Sequence, residues 1–380
     1  MGLGFRIKQY LKMYIQNVYL PRVYRRAVKK TAVNPNKIIM ADMHSDSLPY
    51  SMQAVYAALV EEGYIPEIYT RDISKMSRAE SMRYMKDFMK NYAAAGYVYI
   101  CSYFLPVSSC DKRPETRVVQ LWHSGGLMKK MGYDTKDDIP AYYKGVVTKN
   151  YDLVTVSAPV CVPVWESALR LPEGVTKPLG LARTDIYFDK EWKQECRNRF
   201  YELCPQARGK KIVLYAPSFS GNASDPRCVG IESGIEKVFQ SLKDDYYLII
   251  RLHPHLKKKY SHFWKDDPSR ELATEKLLPV ADIMITDYSS VLFDYSVFRK
   301  PFVLFCPDIQ EYEKSRGFYA DIKTFPAPLA KNAEELGRVF EEKQYENFSM
   351  AQLEEFYKEY MGSCDGHSTE RIINEAKRKN

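Results

Sequence analysis

The stretch ITDYSSVLFDYSVFRKP, residues 285–301, decides the fold, because in it a buried strand runs through a polar turn into a helix. Asp287, Ser289 and Ser290 lie in the turn. The first N–H groups of a helix lack partners within it and its dipole favours an anion, so this junction predicts a phosphate or pyrophosphate site. Helix capping by the same three residues is an alternative that is compatible with such a site. Asp294 follows Ser290 by about one helical turn and is placed to bind hydroxyl groups of a polyol or ribose.

The same alternation of strands and helices extends outward over most of the 380-residue chain. It predicts parallel sheets, and the length suits two domains. The regular pattern breaks at residues 178–189, which we interpret as a linker. We therefore predict an α/β protein of two doubly wound, Rossmann-like domains, residues 37–180 and 181–380, facing each other across a cleft. Residues 1–36 form a separate basic helical segment, and the last helix, residues 368–379, is also compatible with packing on the N-terminal domain.

Composition excludes several classes of protein. The chain has 45% hydrophobic and 27% charged residues, which is typical of a globular protein. No run approaches the roughly 20 apolar residues that span a bilayer, and no signal peptide is recognisable. The 8 cysteines form no CxxC pairs, which predicts a reducing, cytosolic compartment and no structural zinc. The net charge of +8 attracts nucleic acid, anionic lipid or a phosphorylated substrate, and charge alone does not choose among them.

The N-terminal segment has a distinctive charge pattern. Residues 1–41 contain no Asp or Glu, and apolar and aromatic side chains alternate with basic ones at helical spacing. This pattern is typical of an amphipathic helix on an anionic membrane, where each basic residue near the surface contributes about 1 kcal/mol. The alternative is a basic helix packed on its own domain. The basic residues are Arg6, Lys8, Lys12, Arg22, Arg25, Arg26, Lys29 and Lys30.

A histidine follows another predicted strand. His123 comes directly after VVQLW, and Gly125 and Gly126 behind it allow a sharp turn that approaches a ligand closely. A histidine at a strand end can take a proton from an attacking hydroxyl near neutral pH. The alternative is a histidine that only caps the turn. Lys129 and Lys130 lie just beyond the turn. They are candidates for contact with a phosphate, and the alternative, which is the commoner one, is that they are solvated surface lysines.

Further basic and polar residues lie at strand ends in the C-terminal half. The motif RLHPH begins at Arg251, which suits a carboxylate or phosphate partner, while His253 suits a phosphate oxygen or a leaving group. His255 is a second candidate, and no accompanying carboxylate or cysteine favours a metal site. Two weaker candidates are Arg183, which lies in the linker where it can reach a phosphate, and Ser218, which follows the first strand of the second domain.

Seven motifs occur in one order and together resemble the CDP-glycerol glycerophosphotransferase family of teichoic acid synthesis. The resemblance runs from about Lys37 to the C-terminus. The length resembles the primase type, which adds the first glycerol phosphate to a lipid-linked disaccharide, or a bare catalytic domain of the longer polymerases. The motifs are WHSGGLMKKMGY, GLARTD, LYAPSF, RLHPH, ITDYSSVLFDY, KPFVLFCPDIQEYEKSRGFY and DGHSTERI.

The resemblance implies a GT-B-like fold, with the nucleotide mainly on the C-terminal domain and the acceptor on the N-terminal one. It implies that His123 is the general base and that His253 contacts the pyrophosphate. Ser289 and Ser290 match the phosphate-binding helix start, and Arg183 matches an arginine of the linker motif. Peripheral attachment to the cytoplasmic face of the membrane is also implied, in keeping with the basic N-terminus.

Two further points follow from the resemblance. Asp294 matches an acidic residue near the glycerol end of the donor. The turn after His123 departs from the family, which usually reads Trp-His-Gly-Thr-Pro-Leu-Lys where this chain has WHSGGLM, residues 122–128. We expect this turn to shape the acceptor side, so the departure leaves the acceptor and the polyol open.

The sequence therefore predicts a transferase that moves glycerol phosphate from CDP-glycerol to a hydroxyl of a lipid-linked saccharide or growing chain and releases CMP. No cofactor is obligatory, although Mg²⁺ in solution is compatible with the reaction. The expected partners are the CDP-polyol, the lipid-linked acceptor and an anionic membrane surface, without nucleic acid. Alternatives are a CDP-ribitol-dependent enzyme, a GT-B glycosyltransferase or sugar-nucleotide epimerase, and a non-catalytic membrane-surface protein built on a decayed transferase.

Overall fold

The computed structural model of the chain describes residues 3–136, 138–139, 145–218, 220–222, 225–253, 256, 259–261 and 267–378. It divides into two compact units. The first unit consists of residues 1–123, 131–185 and 363–380, and the second of residues 124–130 and 186–362. Residues 1–36 and the last helix therefore both belong to the first unit, whereas the turn after His123 belongs to the second. Our predicted boundaries allowed for the last helix to pack on the N-terminal domain, but they kept residues 124–130 in that domain, whereas these residues belong to the second unit.

The first unit is built on a parallel sheet with α-helices around it. Its strands are β1 (Asn34–Asp42), β2 (Glu67–Thr70), β3 (Ala95–Ile100), β4 (Arg117–Gln120), β5 (Leu153–Thr155) and β6 (Thr176–Lys177). Its helices are α1 (Leu3–Tyr14), α2 (Leu20–Val28), α3 (Tyr50–Glu61), α4 (Arg78–Tyr92), α5 (Cys161–Leu169) and α14 (Ser368–Lys377).

The first sheet has the strand order β2-β1-β3-β4-β5-β6, and every pair is parallel. The second half of β1 is buried on both faces, as its continuous apolar sequence requires in a parallel sheet. The direction of winding changes between β1 and β3. In open α/β sheets, ligands bind beyond the carboxyl ends of the strands at such a point. The residues that follow β1, β3 and β4 are therefore the first place to look for a site.

The N-terminal segment is helical, as the sequence predicts, with one π-helical turn (Ile15–Tyr19) between α1 and α2. Its second half packs on the first unit. Leu20 and Tyr24 are buried, and the Tyr24 ring lies 5.2 Å from that of Tyr92 on α4. Arg113 donates its backbone N–H to the Tyr24 hydroxyl at 3.0 Å and its guanidinium to the carbonyl of Val28 at 2.6 Å. The helix is thus fixed to the protein at its C-terminal end.

Helix α14 completes the core of the first unit. Ile372, Ile373 and Ala376 are buried in the cluster that contains Met40 of β1 and Val55 of α3. Apolar side chains at this spacing give α14 one buried face, which is the usual source of helix stability in proteins.

The start of α14 is capped by a side chain from a distant motif. Asp185, in the GLARTD motif, accepts the backbone N–H groups of Ser368 and Thr369 at 3.0 and 2.7 Å. These are unsatisfied donors of a helix start, and a carboxylate there is favoured by the dipole. Asp185 is therefore explained by structure, without a ligand.

The second unit has its own parallel sheet, in the order β10-β7-β11-β12-β13, and a separate antiparallel pair, β8 and β9. Its strands are β7 (Lys211–Tyr215), β8 (Ser220–Asn222), β9 (Asp225–Arg227), β10 (Tyr246–Ile250), β11 (Ile283–Thr286), β12 (Phe302–Phe305) and β13 (Leu329–Ala330). Its helices are α6 (Lys190–Leu203), α7 (Val229–Glu232), α8 (Ile235–Ser241), α9 (Thr274–Leu277), α10 (Val291–Ser296), α11 (Ile309–Ser315), α12 (Ala333–Glu341) and α13 (Met350–Met361). The two parallel sheets confirm the predicted α/β class. That the domains face each other across a cleft stays a prediction.

Candidate active site

Polar side chains gather at the carboxyl edge of the first sheet. Asp42 is the last residue of β1 and is buried. Its carboxylate accepts the hydroxyl of Ser102 at 2.5 Å and the backbone N–H of His44 at 2.8 Å. Because β1 and β3 are neighbours, these bonds tie together the two loops on either side of the point where the winding changes. Asp42 is not among the residues predicted from the sequence. It lies at the end of the strand pattern KIIMAD, and a polar residue at a strand end is the feature by which His123 was predicted.

His123 is oriented by a backbone carbonyl. Its Nδ1 lies 2.9 Å from the carbonyl oxygen of Cys101, which can only accept a hydrogen bond. Nδ1 therefore carries the proton of the neutral imidazole, and Nε2 has the lone pair. This is the tautomer that a general base requires if Nε2 faces the substrate.

The surroundings of His123 favour its neutral form. Desolvation by the surrounding protein is the largest effect and lowers the pKa of His123 below 6.5; the charges of Arg183 and His44 act in the same direction. The Cys101 carbonyl and the Asp42 charge oppose them without reversing the result. These effects together favour the neutral imidazole, while the side chain itself remains exposed to solvent.

Arg183 lies in the first unit and is 5% exposed. From its place in the linker we predict that it reaches a phosphate. Its positive charge also lowers the pKa of His123. Its contact with a phosphate stays a prediction.

In the second unit, Asp287 braces two neighbouring strands. It follows β11, and its Oδ1 accepts the backbone N–H groups of Ser218, behind β7, at 2.7 Å and of Tyr288 at 2.5 Å. Burial raises the pKa of Asp287, while the Ser218 donors and the charge of Lys129 oppose that rise. Two of the predicted substrate-binding residues, Asp287 and Ser218, therefore bind each other.

The two serines of the opening motif are differently placed. Ser290 is the N-cap of α10 but makes no side-chain capping bond, and Ser289 precedes it. Both are partly exposed. Among the described residues, neither hydroxyl has a hydrogen-bond partner, so both are available to a ligand. Helix α10 has only 6 residues, which limits its dipole and makes individual N–H and O–H donors the main attraction for an anion.

The segment after His123 contributes a cation to this unit. Tyr319 donates its N–H to the carbonyl of Met128 at 2.9 Å, and Lys130 donates its N–H to that of Gly317 at 3.1 Å. This pairing holds Lys129 where its positive charge opposes the rise in the pKa of Asp287 that burial causes. The turn belongs to the second unit, and its role on the acceptor side stays a prediction.

The guanidinium of Arg251 is hydrogen-bonded to other residues of the protein. Its guanidinium donates to the carboxylate of Asp267 at 2.7 Å and to the carbonyl and hydroxyl of Ser269 at 2.5 and 2.7 Å. This arginine pairs with a carboxylate, one of the two partners that the sequence allows, and fixes the loop after β10. His253 is partly exposed behind the same strand, while the alternative His255 lies outside the described residues.

Asp294 is partly exposed on α10, in the second unit with the two serines. Within the described ranges, no group of three His, Cys, Asp or Glu side chains is arranged to hold a metal ion.

Comparison with known proteins identifies what this chain is similar to. Residues 22–376 match the family described as CDP-Glycerol:Poly(glycerophosphate) glycerophosphotransferase. The teichoic acid ribitol-phosphate primase of Bacillus spizizenii is 30% identical, over 96% of this chain and 97% of the relative. The teichoic acid glycerol-phosphate primase of Bacillus subtilis is 28% identical, over 72% of this chain and 71% of the relative. The structure of the wall teichoic acid polymerase TagF, at 20% identity, superposes with a TM-score of 0.70 over 98% of both chains, which confirms the GT-B-like fold.

Proposed function

Because the chain belongs to the CDP-glycerol:poly(glycerophosphate) glycerophosphotransferase family, we propose that it transfers glycerol phosphate from CDP-glycerol to an acceptor hydroxyl and releases CMP. The observation that carries this proposal is the tautomer of His123, whose Nδ1–H is held by the Cys101 carbonyl while Nε2 keeps its lone pair. A base of lowered pKa at a strand end is what deprotonation of an alcohol requires at neutral pH.

The proposed step is an in-line displacement. Nε2 of His123 takes the proton of the acceptor hydroxyl as its oxygen forms a bond to the β-phosphorus of CDP-glycerol. The bridging P–O bond breaks, and its electron pair leaves with CMP. Phosphoryl transfer depends mainly on positioning and charge stabilisation. Most of the remaining rate acceleration therefore comes from the groups that bind the phosphates.

The second unit supplies those groups. The hydroxyls of Ser289 and Ser290 are donors for phosphate oxygens. Lys129, whose charge acts on Asp287, and His253, which follows β10, add positive charge or hydrogen bonds. Asp294 is assigned to the glycerol hydroxyls. This set needs no protein-bound metal, and Mg²⁺ carried by the pyrophosphate is compatible with it.

Replacement of His123 by Asn tests the proposal. We expect kcat for CMP release to fall by about 10²–10⁴-fold, with the Kd for CDP-glycerol unchanged in calorimetry. Replacing both Ser289 and Ser290 by Ala should instead weaken binding. UDP-N-acetylglucosamine serves as the control ligand, since an epimerase or glycosyltransferase would bind it in preference. Wild-type turnover in His123→Asn removes His123 from the mechanism.

A second candidate donor is CDP-ribitol. The ribitol-phosphate primase matches this chain over nearly the full length of both proteins, which favours a ribitol donor. Relatives of both kinds occur in the family, so family membership does not decide between glycerol and ribitol. The ratio of kcat/KM for the two donors, with mass spectrometry of the product on a lipid-linked disaccharide, decides it. A ratio in favour of CDP-ribitol would replace glycerol by ribitol in the proposal.

We also propose that the enzyme acts at an anionic membrane surface on the cytoplasmic side. Helix α1 exposes four apolar side chains at helical spacing, Ile7 at 59%, Tyr10 at 60%, Leu11 at 45% and Tyr14 at 54% exposure. None of the helices in the described residues is long and apolar enough to cross a bilayer. A row of this kind beside basic residues suits a helix that lies in the interface, where a lipid-linked acceptor would be found.

Vesicle sedimentation tests the membrane proposal. We expect the double variant Tyr10→Glu/Leu11→Glu to lose binding to phosphatidylglycerol vesicles while its CMP release with a soluble acceptor is retained. Ile65, which is 90% exposed on the same unit, provides the matched control Ile65→Glu, and it should bind like the wild type. Equal binding by all three proteins would contradict a role for α1.

A further inference from the structure

The residue before His123 has an unusual backbone conformation. Trp122 has φ +55°, in the left-handed region that side chains with a Cβ rarely adopt. For an aromatic residue this conformation is unfavourable, and it persists only where the surroundings enforce it. It occurs two residues beyond the end of β4, directly before His123.

A buried glutamine enforces this conformation. Gln120, the last residue of β4, is 0% exposed, and its Oε1 accepts the backbone N–H of Trp122 at 3.0 Å. Its Nε2 donates to the carbonyl of Ser102 at 3.0 Å. The adjacent carbonyl, that of Cys101, accepts Nδ1 of His123. The Cys101–Ser102 dipeptide therefore holds the histidine turn at both of its ends.

The indole of Trp122 supports the imidazole directly. The two rings are nearly parallel, at 14°, with centroids 5.1 Å apart. Tyr103 and Trp165 contact the indole edge-on, each at 5.1 Å, so the ring has little freedom to rotate. Such aromatic contacts are favourable beyond burial alone and offset the strain of the left-handed turn.

We propose that Gln120 and Trp122 are positioning residues that fix the orientation of His123, the glutamine through the left-handed turn and the indole through stacking on the imidazole. The inference deepens the proposed function and rests on His123 being its base. The titratable groups whose charges act on the imidazole are Arg183, His44 and Asp42, while the indole stacks on the ring itself.

Two substitutions separate the positioning roles. Gln120→Leu preserves the size of the side chain but removes both hydrogen bonds, and Trp122→Asn tolerates the left-handed backbone but removes the ring. We expect either change to lower kcat by about 10- to 100-fold through misplacement of the base, with the KM for CDP-glycerol unchanged. Trp122→Phe keeps a ring and should retain most of kcat. Gln53→Leu, at an exposed glutamine of the same unit, is the control and should match the wild type.

A second readout needs no substrate. A protonated imidazole quenches a stacked indole, so tryptophan fluorescence should fall as the pH is lowered through the pKa of His123. His123→Asn should abolish that component. Gln120→Leu should diminish its amplitude because the two rings lose their parallel contact, whereas Gln53→Leu should leave it intact.

The outcomes are distinguishable. Undiminished quenching and an unchanged kcat in Gln120→Leu would overturn the positioning role, and so would full activity in Trp122→Asn. If Gln120→Leu fails to fold, Trp122→Asn and Trp122→Phe carry the test. Quenching that behaves as expected in a wild-type protein that does not use CDP-glycerol or CDP-ribitol would refute the proposed function and leave the geometric role in place.

Discussion

Replacement of Gly126 by Ala tests how the turn after His123 is built. Gly126 has φ +60°, and a Cβ at this position would lie 2.3 Å from the ring of Phe293. The Phe293 side chain cannot move away, because it is fully buried. Its ring centroid lies 5.8 Å from that of Phe356 and 5.4 Å from that of Tyr360. The added methyl group must therefore displace the turn.

The expected destabilisation has two parts. The left-handed backbone is unfavourable for alanine by about 1–2 kcal/mol, and overpacking against the ring adds about 1–3 kcal/mol. Gly209, in the same unit, isolates the first part, because it has φ +81° and a Cβ added there would meet no atom of the described residues within 4 Å. Gly126→Ala should consequently lower the free energy of unfolding by about 1–3 kcal/mol more than Gly209→Ala does.

Thermal unfolding followed by circular dichroism measures this difference. The additional loss should appear as roughly 2–4 °C in Tm for each kcal/mol in a unit of this size. Because Phe293 lies on α10 between Ser290 and Asp294, we also expect weaker binding of CDP-glycerol in Gly126→Ala alone. Equal Tm values for the two variants would refute the packing of this turn on Phe293.

Three other predictions concern charge and hydrogen bonding. Arg183→Gln should raise the pKa of His123 and move the acid limb of the kcat/KM profile to higher pH, since the arginine charge lowers that pKa; Arg183→Lys should leave the limb in place. Replacing Ser289 and Ser290 by Ala should raise the Kd for CDP-glycerol at least about tenfold without moving that limb, a result that an unchanged Kd in calorimetry would contradict. Burial is the largest single effect on the pKa of Glu375 and raises it, but Lys177, Arg378 and Arg117 together outweigh burial and the pKa is lowered. Its stabilising effect is therefore present above the unfolded-state pKa and lost as the pH falls through the folded-state value, so Glu375→Gln should destabilise by about 1–3 kcal/mol at pH 7 and by progressively less below about pH 4, as urea denaturation would show.

Much of the architecture follows from local pattern. Strands with continuous apolar sequence, each followed by a helix, allow little other than parallel sheets, and residues behind parallel strands share one edge. That reasoning identified His123, Ser218 and Asp287 as neighbours of a site. It did not show that the last two bind each other, since hydrogen bonding between residues 69 positions apart leaves no local pattern in the sequence.

Other features depend on tertiary contacts that no local pattern encodes. The guanidinium of Arg251 is used by Asp267 and Ser269, and the sequence gives no sign of which partner it takes. The sign of φ at Trp122 is equally invisible, because an aromatic residue in a strand pattern predicts extended backbone. Helical periodicity shows that α14 buries one face, but not which sheet covers that face.

The position of α14 has a consequence for biosynthesis. Its side chains Ile372, Ile373 and Ala376 belong to a core whose other members, such as Met40 and Val55, leave the ribosome more than three hundred residues earlier. Until that helix has been translated, apolar surface on the nascent first unit stays uncovered and is available to chaperones or proteases. A chain interrupted between the serine turn and α14 would carry His123 and both serines and yet lack a finished core. Translation of α14 thus decides whether a newly made chain can bury its apolar core, and incomplete chains stay exposed to chaperones and proteases.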